Sequence, residues 1–218
     1  MILAVHKPPG WTSFDVVRKV RSITGEKKVG HAGSLDPFAE GVLVVGVGRH
    51  STKRLSVITR QEKEYRAVLR LGIMTDTLDP EGRVVMRKPV PPLTRARVED
   101  VFKSFTGTVQ QVPPMYSAKK VGGTPLYTLA RDNKEIPRKP VMVTIKELRL
   151  HDLTPDTIGF SVVCSKGTYV RQLGADMARA LGTVGTLDAL IRVRIGDVTL
   201  DECLSLEDLE RQWLSIAE

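Results

Sequence analysis

Between Gly41 and Gly48 the chain runs Val42-Leu43-Val44-Val45-Gly46-Val47, an almost unbroken apolar and largely β-branched stretch. A run of this length without polar alternation is a strand covered on both faces, so other layers must pack against it. The segments around it change period. Residues 2–6 read as a strand ended by Pro8-Pro9-Gly10. Ser13 is placed to cap a helix with Val16, Val20 and Ile23 on one face and Gly25 as its stop. Residues 65–71 alternate as a half-exposed strand does. Thr94 opens a helix bearing Val98, Val101, Phe102 and Phe105, closed by Gly107. Strands are expected near 141–150, 158–164 and 193–198, with a helix over about 169–181 and Gly182 as its stop. Ser205 and Asp208 approximate a capping box for a final helix. Residues 75–92 and 112–140 are turn-rich or irregular excursions. Strands and helices follow no regular βαβ period, which predicts an α+β fold: a mixed, largely antiparallel sheet flanked by helices. Linker composition persists nowhere, so one domain is expected over residues 1–218.

Hydrophobic residues make up 41% of the chain and aromatics only 5%, so a core of Val, Leu and Ile is expected. The net charge of +8 favours a polyanionic partner. That charge is uneven. Residues 1–60 hold ten Lys or Arg against four acids, whereas 197–218 hold seven acids and one Arg. The tail helix is therefore expected to face solvent or a partner. Two cysteines, Cys164 and Cys203, are too few for a zinc cluster or a disulfide framework. Cys164 ends an apolar run and reads as a buried filler. No secretory leader or membrane span is visible, and a cytoplasmic protein is expected.

The stretch richest in chemistry is Gly30-His31-Ala32-Gly33-Ser34-Leu35-Asp36-Pro37. Its glycines permit tight turns and close approach of a ligand. Pro37 biases Asp36 toward an extended backbone. An Asp on a constrained loop beside a buried strand suits catalysis, and it equally suits a turn in which the carboxylate bonds its own backbone. Asp76 and Asp79 lack the partners and spacing of a metal site, and Asp79-Pro80-Glu81-Gly82 reads as a turn, so no metal is expected.

Six ordered blocks carry a resemblance to a known family. They are Lys7-Pro8-Pro9-Gly10-Trp11-Thr12-Ser13, the Gly30–Pro37 stretch, and Lys63-Glu64-Tyr65. Leu71-Gly72 with Thr75-Asp76-Thr77-Leu78-Asp79, then Pro114-Met115-Tyr116-Ser117-Ala118 and Cys164-Ser165-Lys166-Gly167-Thr168-Tyr169-Val170-Arg171, complete the set. The chain resembles the bacterial TruB family of tRNA pseudouridine synthases, which act on the T-loop uridine. The resemblance implies the pseudouridine synthase fold and an isomerase that flips its base, breaks the glycosidic bond and rejoins the uracil through carbon 5, without a cofactor. It implies Asp36 as the catalytic carboxylate, acting on the ribose, on the base or in proton removal from the sugar, alternatives the residues leave open. It implies Arg171 as the cation paired with Asp36, Tyr65 as the residue stacked on the base, Tyr169 and Leu190 as pocket lining, and His31 as an RNA contact.

For the RNA backbone, Lys7 is one candidate contact, and Arg18, Lys19, Arg21, Lys27 and Lys28 form one candidate grip. Lys119, Lys120, Arg131, Lys134, Arg138 and Lys139 form another, in a stretch (112–140) that resembles the family's mobile RNA-clasping insertion. The resemblance further implies the T arm of tRNA as partner, no guide RNA, no membrane and a monomer. Two departures stand out: no C-terminal PUA-type domain is evident, and Leu190-Ile191-Arg192 replaces a stretch in which the family often has two consecutive Arg. Rival readings are a non-catalytic RNA-binding or tRNA-folding module, the guide-RNA branch of the family, and a glycosidase, for which no second catalytic acid stands out.

Overall fold

The computed structural model describes residues 1–132, 134 and 136–217. In chain order the elements are β1 (Ile2–Lys7), α1 (Ser13–Thr24), β2 (Val29–Ala32), β3 (Glu40–Val47), α2 (Arg49–Arg60) and β4 (Lys63–Leu71). Then come β5 (Ile73–Thr75), β6 (Val84–Arg87), α3 (Arg95–Phe105), β7 (Gly107–Gln111), β8 (Lys120–Val121), β9 (Thr124–Pro125) and α4 (Leu126–Arg131). The chain ends with β10 (Val141–Leu153), β11 (Thr157–Cys164), α5 (Val170–Ala180), β12 (Gly185–Ile195), β13 (Val198–Thr199), a 3-10 turn (Leu200–Glu202) and α6 (Leu206–Ala217). They fall into two compact units. Met1–Arg66 joins the described residues from Ala189 onward, and Ala67–Asp188 forms the other.

In the first unit β3 is the central strand. It pairs antiparallel with β1 (Ile2↔Gly46 to Lys7↔Gly41) and with β2 (Val29↔Val47 to Ala32↔Val44). It pairs parallel with β12 at Ile191↔Glu40 and Arg192↔Gly41. That parallel contact is tight. A Cβ on Gly41 would lie 2.3 Å from the Arg192 carbonyl oxygen, and Gly41 has φ +108°, so only glycine fits. Both faces of β3 are covered, as its sequence demands. Leu43, Val45 and Val47 pack with Val16, Val17 and Val20 of α1 and with Leu206 and Leu209 of α6. On the opposite face Val42 and Val44 pack with Ala32, Leu55 and Ile195.

Helix α1 follows its apolar spacing, but its cap is Thr12. The Thr12 Oγ1 accepts from Asp15 N at 3.1 Å while the Asp15 carboxylate accepts from Thr12 N at 2.9 Å, a reciprocal capping box. Ser13, expected as the cap, is thereby released for another contact. Gly25, left-handed at φ +68°, stops the helix as expected. Helix α2 was not anticipated: it is mostly polar, and Leu55 is its sole buried apolar side chain. Leu55 fits where Gly30 and Gly46 present no side chain. The tail helix α6, expected to face solvent or a partner, buries Leu206 and Leu209 against α1 and adds a Lys19–Glu210 ion pair at 2.7 Å. Its acid-rich composition hid an ordinary amphipathic stripe.

In the second unit β10 pairs antiparallel with β7 and with β11. The mixed strand pairing of the first unit and the antiparallel pairing of the second, with helices in both, match the α+β expectation. Helix α3 is capped by Thr94 as expected, and its Phe102 meets Phe160 of β11 edge to face at 5.9 Å. Cys164 is buried. Two excursions are more ordered than their composition suggests. Residues 73–87 hold the β5–β6 hairpin, and 120–131 hold the β8–β9 hairpin and α4, with Leu126 fully buried.

Candidate active site

Asp36 lies half-buried on the loop between β2 and β3. The backbone around it is fastened almost residue by residue. The Arg192 guanidinium donates to the Gly33 carbonyl at 3.0 Å and to the Val42 carbonyl at 2.7 Å. Ser13 Oγ accepts from Leu35 N at 2.9 Å and donates to Leu35 O at 3.3 Å. Ala39 N donates to Asp36 O at 3.1 Å, closing a tight turn. Pro37 O accepts from Gly10 N at 2.8 Å and from Lys7 Nζ at 3.1 Å. A carboxylate on so fixed a loop is pre-aimed, which is what an attacking or proton-moving group needs.

Lys7 corrects an expectation. As a backbone contact for RNA it should be exposed, yet its exposure is 0%. Its ammonium also donates to Pro8 O at 2.9 Å and Trp11 O at 2.5 Å. Lys7 therefore ties the Pro-Pro-Gly turn to the Asp36 loop from inside. Lys7→Met removes a charged donor from three carbonyls and should lower the unfolding free energy by about 3 kcal/mol or more. Urea denaturation of the purified variant checks this, and an unchanged midpoint would contradict it.

The same unit holds three more of the expected residues. Tyr65 occupies an inward position of alternating β4 and is 8% exposed. Leu190 on β12 is buried. His31 on β2 is half-buried. Burial holds its pKa below the usual imidazole value, and the nearby Arg192 charge lowers it further. His31 is accordingly neutral at neutral pH, a hydrogen-bonding ring rather than a cation.

The second unit holds Tyr169 and Arg171, at and just after the N-terminus of α5. Arg171 is buried, and its guanidinium is fixed by Asp79 (3.2 Å), the Thr77 carbonyl (2.6 Å) and the Tyr116 carbonyl (2.8 Å). Both side chains of the Arg171–Asp79 pair are 4% exposed. Asp79 does make its turn, accepting from Glu81 N at 3.1 Å, but its second oxygen serves Arg171. Nothing in the Asp-Pro-Glu-Gly pattern signals that partnership. Gln111 brackets Tyr169, donating to its carbonyl at 3.1 Å and accepting from its N–H at 2.8 Å. Sequence reasoning missed Gln111 as well, since a strand Gln carries no local signature. A cavity of about 530 Å³ in this unit is lined by Thr75, Tyr116, Lys134, Arg138 and Gln172, among others.

Of the expected RNA-gripping residues, Lys119 is half-buried, while Lys120 and Lys134 are exposed. The Arg131 side chain lies outside the described residues. On α1, Arg18 and Arg21 lie over the Phe14 ring at 6.0 and 5.7 Å, while Lys27 and Lys28 are exposed. Among the described residues no helix is long and apolar enough to cross a membrane, and no group of three or more His, Cys, Asp or Glu could hold a metal ion.

The Asp36 loop, Tyr65 and Leu190 belong to one compact unit. Comparison with known proteins identifies the family. Residues 21–170 match the family model described as TruB family pseudouridylate synthase (N terminal domain). The chain is 46% identical over 215 residues to tRNA pseudouridine synthase B of Parabacteroides distasonis, covering 96% of this chain and 91% of that one. It is 45% identical over 211 residues to tRNA pseudouridine synthase B of Caldanaerobacter subterraneus subsp. tengcongensis, covering 96% and 73%. Among solved structures, a chain of a Cbf5-Nop10-Gar1 complex superposes with a TM-score of 0.78 at 26% identity. This chain is covered completely and spans 55% of that chain's length. The chain belongs to the TruB family of pseudouridylate synthases.

Proposed function

We propose that the protein isomerises the T-loop uridine of tRNA to pseudouridine, with Asp36 as the catalytic carboxylate. The glycosidic bond breaks at nitrogen 1, the uracil turns, and carbon 5 bonds to the ribose. The proton on carbon 5 leaves and nitrogen 1 gains one, so the reaction is redox-neutral and calls for no cofactor. The observation that carries this reading is the fastened Asp36 loop, whose backbone is held from Arg192, Ser13, Gly10 and Lys7. Identity of 46% to a tRNA pseudouridine synthase B, against 26% to the chain of the Cbf5-Nop10-Gar1 complex, supports tRNA as substrate without a guide RNA or such protein partners.

The target base must be flipped from a folded loop to be reached. Tyr65 supplies the stacking face, with Leu190 and Tyr169 as lining, His31 as a neutral RNA contact and Arg171 as a charge held ready for the site. Lys119, Lys120 and Arg131, in a stretch (112–140) that acts as the RNA clasp, supply phosphate contacts. We read the whole chain as one catalytic domain acting as a monomer in the cytoplasm. Incubation with a tRNA transcript labelled with tritium at carbon 5 of uridine tests this. The label is expected in water at one equivalent per tRNA, and none should be released from a transcript whose T-loop uridine is changed to cytidine. Release that persists from the cytidine transcript would overturn the site assignment.

A further inference from the structure

Ser13 follows the Thr12 cap and takes no part in the reciprocal pair that opens α1. Its hydroxyl instead both accepts from Leu35 N (2.9 Å) and donates to Leu35 O (3.3 Å), with the side chain buried. Leu35 immediately precedes Asp36, and its own side chain is buried. We propose that Ser13 is a positioning residue for Asp36. This rests on the reading of Asp36 as the catalytic carboxylate.

The residue after Asp36 is held at its carbonyl, Pro37 O, by Gly10 N and Lys7, and Asp36's own carbonyl is held by Ala39 N. The residue before Asp36 is gripped through both of its backbone polar groups by one hydroxyl. A two-way grip resists rotation of the Leu35 backbone in a way that a single hydrogen bond does not, and that rotation would swing the Asp36 side chain. Ser13 also makes this grip from the first turn of α1, whose apolar face is locked into the core, so the reference point is rigid. A hydroxyl is the smallest side chain that can both donate and accept here.

The test measures steady-state kinetics on a tRNA transcript, together with thermal unfolding, for wild type, Ser13→Ala and Ser13→Thr. Misplacing a reacting group by a fraction of an ångström to an ångström costs on the order of 10- to 100-fold in rate. Ser13→Ala should therefore lose about tenfold or more in kcat, with KM for tRNA within about twofold of wild type, well below its unfolding temperature. Ser13→Thr, which keeps the hydroxyl, should recover most of kcat. If Ser13→Ala does not fold, Ser13→Cys takes its place with the same expectation, since a thiol is a weak donor and acceptor. Wild-type kcat in a folded Ser13→Ala or Ser13→Cys protein would overturn the proposal, as would a folded Ser13→Thr protein no more active than Ser13→Ala. A loss confined to KM would also overturn it. Wild-type protein that makes no pseudouridine sinks the reading of Asp36 itself, an outcome distinct from failure of the Ser13 variants.

Discussion

Asp36→Asn is expected to lose pseudouridine formation by at least ~10⁴-fold while remaining folded and able to bind tRNA. Asn has the shape of Asp without its charge or basicity, so it can neither attack a carbon nor accept a proton. Ties from Ser13, Lys7, Arg192 and backbone N–H groups to backbone atoms shape the loop, and these remain available in the variant. Single-turnover rates with excess enzyme measure the loss, and a filter-binding assay measures retention of tRNA. Turnover within about tenfold of wild type would remove Asp36 from the chemistry.

The second large effect is expected at Arg171. Arg171→Lys keeps a positive charge but cannot span Asp79, the Thr77 carbonyl and the Tyr116 carbonyl together. A buried lysine leaves at least one of these carbonyls unpaired, which costs about 1–3 kcal/mol of stability. Removing the cation altogether, as in Arg171→Met, strands the Asp79 carboxylate in a site where it is 4% exposed. That variant should lose about 3–5 kcal/mol. Activity of Arg171→Lys should fall by about tenfold or more even where the protein is fully folded, because the planar fork no longer fixes the direction of the charge. Urea unfolding and tRNA turnover, measured on the same preparations, separate the two losses. Near-normal turnover in folded Arg171→Lys would contradict the role given to the fork.

The sequence spoke clearly wherever one local rule decided the structure. The Val42–Val47 run had to be a strand covered on both faces, and it is. The stops at Gly25 and Gly182 follow from a left-handed turn that glycine adopts without cost. What stayed hidden depends on long-range partners. Thr12 and Ser13 are equally good caps by composition, and only the distant Leu35 decides which one is free. Lys7 looks like any basic residue near a turn until the carbonyls of Pro8, Trp11 and Pro37 converge on it. Arg192 stood out only as a departure from a family habit, although it is a fully buried brace between β12, β3 and the Gly33 turn. Helix α2 was missed because a single Leu docks it, and the complementary surface is supplied by glycines that carry no pattern of their own. The Asp36 loop was legible because its motif is local, while the scaffolding that fixes it was not, because its ties come from residues up to 159 positions away.

The most direct measurement maps pseudouridine along a full-length unmodified tRNA transcript after incubation with wild-type protein and with Asp36→Asn. The account predicts complete conversion of the T-loop uridine by wild type, no conversion elsewhere, and none at any position with Asp36→Asn. Absence of pseudouridine at the T loop with wild-type protein, or its appearance there with Asp36→Asn, would contradict it.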